Sequence, residues 1–368
     1  MKNLYLHIPY CAQICPYCDF YKTANRSTES RFVKALIQEI QRNQDQGKQL
    51  ETLYWGGGTP SLLSIQEFEA IFQSIRSSYG ISDTCEVTVE MDPGTFDKEK
   101  ADALFQLGVN RISLGVQSFV DEELQLLGRG HSAKEAVEGY QILREVGFQN
   151  ISVDLMIAQP KQNMNGLRQS LEVIKGLKPE HVSVYTLDIE PDSVWGRMQT
   201  KDPNRISFLK DEAAADLMNE SCRFLIECAY GRYEVSSYAI NSKRESCHNK
   251  KYWAGVGHSY EGLGPSAHAF DGDRQRSQNI AHVGKYIDAL EEGLSPRGFE
   301  ETLSDEQQRM ERIFLGLRTR EGLSLDAISD KKTLISLKEE GYLLIGEKVV
   351  LTDKGMNVYN KIVDVLAK

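Results

Sequence analysis

The feature that most restricts this chain is an alternation. Six short runs rich in β-branched and aromatic residues occur at 4–8, 51–55, 85–93, 111–119, 151–158 and 181–189. Helical patterns separate them near 28–47, 65–78, 97–107, on to about 146, and 165–176, and another follows near 207–229. Strands spaced by crossover helices build βαβ units and a parallel sheet. Six units predict an α/β fold, a partial (β/α)6 TIM-like barrel over residues 1–230. In such a barrel the chemistry belongs at the C-terminal strand ends.

The rhythm changes after residue 230. Residues 231–300 form an extension with stretches rich in Gly, Ser, His and Asn, containing HNKKYW (248–253) and GLGPSAHAF (262–270). From 301 the runs 304–322, 334–344 and 349–366 predict helix, helix, short strands around a turn and helix. That order suggests a winged-helix-like domain over 301–368. Such domains often meet DNA, but 43 basic against 53 acidic side chains leave a net charge of −10. Phosphate binding needs a basic surface, so no nucleic-acid partner is expected. No run of about 18 apolar residues suggests a membrane span. The ten residues before Cys11 are too few and too polar for a signal peptide. A cytoplasmic location with reduced thiols is expected.

Three of the seven cysteines, Cys11, Cys15 and Cys18, lie just after the first strand as C-x3-C-x2-C. The other four are scattered and read as buried small hydrophobes or incidental thiols. A disulfide in the triple group is disfavoured by compartment. Structural zinc wants four ligands, usually in pairs, and no second pair follows; His7 as a fourth ligand would have to leave its strand pattern. A [4Fe-4S] cluster held by three thiolates, with one iron open, also fits. GGGTP (56–60) lets backbone approach a ligand, or simply turns the chain from strand to helix. It is neither a dinucleotide fingerprint nor a phosphate loop. Glu90, Gln117, Arg129 and Asp154 could hold an amino group, a carboxylate and ribose hydroxyls, or be solvated or structurally paired.

The cysteine spacing, with Tyr17 before the last thiol and GGGTP downstream, is similar to the signature of the radical S-adenosylmethionine (SAM) superfamily. YLHIPYC, YWGGGTPS, VEMDP, RISLGVQSF and SVDLM further resemble the oxygen-independent coproporphyrinogen III oxidase family across essentially the whole chain. The resemblance implies a [4Fe-4S] cluster on Cys11, Cys15 and Cys18, with SAM at the open iron. It implies a SAM site lined by Tyr5, Tyr17, Gly57, Gly58, Thr59, Glu90, Gln117, Arg129 and Asp154. It also implies one-electron cleavage of SAM to methionine and a 5′-deoxyadenosyl radical.

Within that family the oxidases carry a further cysteine where this chain has Phe20, and a long extension before the cysteine loop. C-D-F, VYTLDIEPDS (184–193) and HNKKYW instead resemble the haem-chaperone (HemW) group. That likeness implies haem as cargo and haem-requiring membrane or respiratory proteins as acceptors, without oxidase activity. His248 is the candidate iron ligand, with Tyr252 and Trp253 suited to pack on the macrocycle. The sequence does not rank Cys247, His258, His268 and His282 securely below His248. It does not choose between a monomer and a homodimer. Ala158-Gln159-Pro160 stands where the family usually has Gly-Leu-Pro, so a modest change of loop geometry is expected. The alternatives are an active coproporphyrinogen III oxidase and a zinc-stabilised interaction module.

Overall fold

The computed structural model describes residues 2–202 and 205–367; Met1, Pro203, Asn204 and Lys368, which fall within the expected domains, lie outside the described residues. Six strands form its centre: β1 (Lys2–Ile8), β2 (Asp45–Gly57), β3 (Tyr79–Met91), β4 (Arg111–Gln117), β5 (Ile151–Ile157) and β6 (His181–Thr186). They lie side by side in chain order, each parallel to the next. The crossovers carry α1 (Glu29–Arg42), α2 (Ile65–Ser78), α3 (Lys98–Gln106), α4 (Asp121–Leu126), α5 (Ala133–Val146) and α6 (Met164–Leu177). Local chemistry sets several helix starts. Ser64 with Glu67, and Ser132 with Glu135, close capping boxes at the heads of α2 and α5.

The two faces of the strands differ in kind. Leu4, Leu6, Leu53, Trp55, Val87, Val89, Ile112, Leu114, Val153, Leu155, Val182 and Val184 belong to the main apolar core. The intervening positions are largely polar: His7, Thr88, Arg111, Ser113, Ser152, His181 and Ser183 are all buried. A parallel sheet packed by apolar layers on both faces reads as continuous hydrophobic runs. Here the alternation gives the partial barrel a polar interior.

β6 ends at Thr186, short of the expected residue 189, and an unanticipated helix α7 (Val194–Lys201) follows, capped by Ser193. The helix α8 (Asp211–Glu227) closes the expected barrel segment. The sheet does not stop there. β7 (Gly231–Arg232) and β8 (Ser237–Ala239) extend it antiparallel beyond β6. The HNKKYW helix α9 (Cys247–Ala254) intervenes, and β9 (Glu261–Leu263) then pairs parallel with β1 at the opposite edge. Segment 231–263 therefore completes both edges of the barrel sheet, which would otherwise leave backbone groups unpaired.

β10 (His268–Phe270), β11 (Gln275–Asn279) and β12 (Arg297–Thr302) form a second, antiparallel sheet, with α10 (Val283–Glu291) between its last two strands. Buried Glu39 of α1 anchors this region. It accepts hydrogen bonds from Gly264 N at 2.7 Å, Asn279 Nδ2 at 2.7 Å and Tyr286 OH at 2.6 Å. The C-terminal unit comprises α11 (Asp305–Arg318), β13 (Leu323–Ser324), α12 (Lys331–Glu339), β14 (Leu343–Ile345), β15 (Lys348–Leu351), α13 (Asp353–Met356) and α14 (Tyr359–Leu366). Its antiparallel sheet and helices enclose a separate apolar core in a winged-helix-like arrangement. Among the described residues, no helix is long and apolar enough to cross a membrane.

Candidate functional site

The end of β1 feeds the cysteine loop, and hydrogen bonds pin that loop to the rim. Gly58 N donates to Ile8 O at 2.7 Å, Thr59 N to Tyr10 O at 2.7 Å, and Cys11 N to Thr23 O at 3.0 Å. Trp195 N, at the head of α7, donates to Pro16 O at 2.9 Å. The glycines make this approach feasible. A Cβ on residue 58 would stand 2.6 Å from Tyr10 O and 3.0 Å from Cys11 Sγ, while Gly57 sits at φ 112°.

Cys11, Cys15 and Cys18 line a cavity of about 550 Å³ with Tyr17, Gly57, Gly58, Thr59, Glu90, Gln117, Arg129 and Asp154. Sequence reasoning passed over Asp92, which lies inside the quoted VEMDP and just beyond β3. Asp92 is the hub of the charged wall. Arg129 Nη2 forms an ion pair with its Oδ1, and Thr59 Oγ1 donates to its Oδ2 at 3.0 Å. Arg129 also donates to Gly115 O at 2.8 Å and reaches Cys15 Sγ at 3.6 Å. Its buried Nε has no partner among the described residues.

Burial pushes the Cys11 thiol up to about 11 and raises Cys18 as well. These sulfurs therefore favour the protonated form unless a cation compensates, the usual coupling of thiol ionisation to metal binding. Glu90 accepts from Tyr54 OH at 2.8 Å and Gly57 N at 3.3 Å. Burial first, then the nearby Asp154 and Asp92 carboxylates, push its carboxyl up to about 7. Asp154 takes hydrogen bonds from Ser113 Oγ at 2.9 Å and Ser152 Oγ at 3.1 Å, and burial raises its pKa too.

The three thiols share a cavity without converging on one point. Among the described residues, no group of three or more His, Cys, Asp or Glu is arranged to hold a single metal ion. A zinc ion needs its thiolates about 2.3 Å away around one centre. An iron–sulfur cluster takes each thiolate at a different iron, so a spread set of soft donors fits it.

A second cavity, also about 550 Å³, adjoins the first and shares Asp19, Phe20, Gly57, Glu90 and Tyr185 with it. Tyr5, expected with the SAM-site residues, lines this second cavity and not the thiol one. Tyr5 and Tyr54 lie 6.0 Å apart at 26°, and Tyr54 and His248 lie 4.9 Å apart at 26°. These near-parallel rings, with Tyr252 and Tyr260, make an aromatic chamber. Phe20, 70% exposed, stands where the two cavities meet.

The histidine expectations separate here. His248 is buried, and burial followed by the Arg111 charge lowers its pKa to about 3. Its Nδ1 bonds Thr52 Oγ1 at 2.7 Å and its Nε2 bonds Tyr252 OH at 2.9 Å. His268 joins the lining, but Cys247, His258 and His282 do not. His282 instead caps α10. Tyr252 faces the chamber as expected, whereas Trp253 does not. Its ring packs under the Arg318 guanidinium of α11 at 4.2 Å, because helical spacing turns successive residues to different faces.

Residues 5–174 match the family model described as the radical SAM superfamily. The chain is 34% identical over 377 residues to the heme chaperone HemW of Bacillus subtilis (strain 168), covering 98% of each. It is 32% identical over 373 residues to the heme chaperone HemW of Lactococcus lactis subsp. lactis (strain IL1403), covering 98% of this chain and 96% of that one. Among solved structures, the coproporphyrinogen III oxidase HemN of Escherichia coli, a radical SAM enzyme, superposes with a TM-score of 0.85 at 22% identity. The match covers 100% of this chain and 90% of that one.

Proposed function

From a chain that belongs to the radical SAM superfamily and, within it, to the HemW/HemN-like family, we propose a radical-SAM-type haem chaperone. It binds haem in the aromatic chamber and passes it to haem-requiring membrane or respiratory proteins. The observation that carries this reading is the chamber itself: near-parallel rings and three imidazoles abut a thiol cavity across the Gly57–Glu90 wall. A flat apolar macrocycle is the cargo such rings suit. The full-length likeness to two proteins named heme chaperone supports it.

Cys11, Cys15 and Cys18 would hold a [4Fe-4S] cluster. Tyr17, Gly57, Gly58, Thr59, Glu90, Gln117, Arg129 and Asp154 would enclose SAM. Bound there, the pair supplies single-electron chemistry. The protein's own part is orientation and charge. Arg129, fixed by Asp92 and Gly115 O, holds a positive charge beside Cys15. Glu90, shared by both cavities, is able to keep or release a proton near neutrality. We place the activity in the cytoplasm, where the thiols stay reduced.

The test is anoxic reconstitution, followed by hemin titration and transfer to a haem-free acceptor protein. Tight hemin binding with transfer, and no turnover of coproporphyrinogen III in the presence of SAM and reductant, is expected. Sustained formation of protoporphyrinogen IX would overturn the chaperone reading in favour of an oxidase. Zinc in place of iron and sulfide after anoxic purification would favour an interaction module.

A further inference from the structure

Three imidazoles line the aromatic chamber, and their hydrogen bonds set them apart. A histidine binds iron through the lone pair of one ring nitrogen, while the other carries the proton. His248 commits both nitrogens, to Thr52 Oγ1 at 2.7 Å and Tyr252 OH at 2.9 Å. His7 does the same, with Nδ1 at 3.2 Å from Tyr5 OH and Nε2 at 2.8 Å from Tyr21 O. Both rings are buried, so ligation by either would strand a buried polar partner, a cost of about 1–3 kcal/mol.

His268 differs on each count. It stands on β10 opposite Gln278, is solvent-accessible and lines the chamber. Its ring has no hydrogen-bond partner among the described residues. Partial burial and the neighbouring Arg276 charge lower its pKa, which favours the neutral ring that metals bind. Reaching iron from this position breaks no existing side-chain bond.

We propose that His268, and not His248, is the axial ligand to haem iron in the aromatic chamber, an assignment that rests on the haem-binding reading above. His248 is then a positioning residue, holding Tyr252 and Thr52 in the chamber wall.

Hemin titration of the full-length protein tests this, read by the visible spectrum and by electron paramagnetic resonance. His268→Ala is expected to lose the histidine–iron signature and about tenfold or more in hemin affinity. Added imidazole is expected to restore the signature, which a merely structural role for His268 would not allow. His268→Met should still bind hemin, with an altered axial spectrum. His248→Gln disturbs the chamber wall and is expected to weaken hemin binding, but the hemin it binds should keep the histidine–iron signature. An unchanged spectrum and affinity in His268→Ala overturns the assignment. So does loss of the signature in His248→Gln alone. A wild-type protein that binds no hemin overturns the haem-binding reading itself, and this is seen before any variant is compared.

Discussion

The thiol cavity draws its functional groups from strand ends, the cysteine loop and the connection between α4 and α5 that carries Arg129. Its inner charges are held by fixed partners: Arg129 pairs with Asp92, Thr59 bonds Asp92, and two serines bond Asp154. The aromatic chamber beside it gathers residues from Tyr5 to Gln278, drawn from the barrel strands, α9 and the second sheet. It holds its rings by hydroxyl-to-imidazole bonds and ring packing rather than by ion pairs. The first cavity is organised for a charged ligand and soft donors, the second for a flat, largely apolar one. Only a narrow shared wall, including Gly57 and Glu90, separates them. The proposed cluster–SAM pair and the proposed haem would thus lie side by side without mixing their chemistry.

The sharpest way to break that separation is to destroy one cavity and ask whether the other survives. Replacing Cys11, Cys15 or Cys18 by Ala is expected to abolish bound iron and sulfide after anoxic reconstitution. Hemin affinity should stay within about twofold, since no thiol lines the aromatic chamber. Metal analysis and hemin titration on the same variants check this. Joint loss of both ligands would show that the two cavities act as one site.

Arg129→Met probes the charged wall. It leaves Asp92, only partly exposed, with Thr59 as its remaining side-chain partner. Removing one member of a buried pair costs about 3–5 kcal/mol, and Asp92's partial exposure reduces this to about 3 kcal/mol. Urea unfolding at neutral pH would show it as a lower midpoint. Hemin binding by the folded variant should not change.

How far each cavity could be read from the sequence follows from the same contrast. C-x3-C-x2-C and GGGTP are contiguous, so spacing alone brought Cys11, Cys15, Cys18, Gly57 and Gly58 to one rim. The six βα units fixed which strand ends Glu90, Gln117 and Asp154 would occupy. Asp92 was missed because an aspartate before a proline reads as a turn residue until Arg129, 37 positions away, is seen on it. The aromatic chamber has no contiguous signature. HNKKYW marked α9, but not that His248 would be locked by Thr52 or that Trp253 would face α11. Tyr5 on β1 and Tyr260 and His268 near β9 and β10 meet only because β9 pairs with β1, a closure that periodicity does not specify.

The wall between the cavities has its own pH signature. Glu90 is raised from its ordinary value of 4.5 to about 7, mainly by burial. The folded protein therefore retains a proton that the unfolded chain releases. Its contribution is neutral below about pH 4.5, and destabilises progressively as pH rises through about 7. Glu90→Gln removes this penalty. The variant is expected to match the wild type near pH 4.5 and to exceed it by about 3 kcal/mol above pH 8. Urea midpoints across that range would measure the difference. A constant offset at every pH would place the effect in lost hydrogen bonds to Tyr54 and Gly57 instead.

The smallest expected effect lies at the end of β5. Ala158 takes φ 60°, and Gln117 at the end of β4 takes φ 71°, both left-handed conformations beside the thiol cavity. A glycine would ease this backbone conformation, so Ala158 carries strain there. A left-handed non-glycine residue costs about 1 kcal/mol or slightly more, partly offset by the greater freedom glycine adds to the unfolded chain. Ala158→Gly should therefore stabilise by up to about 1 kcal/mol, raising the thermal midpoint by a degree or two. Gln159 tightens this turn: it is buried and donates from Nε2 to Met156 O at 2.6 Å. Because those bonds persist in Ala158→Gly, iron content after reconstitution and hemin affinity should both match the wild type. A stabilised variant with weaker iron retention would mean that the strain at Ala158 helps shape the thiol cavity.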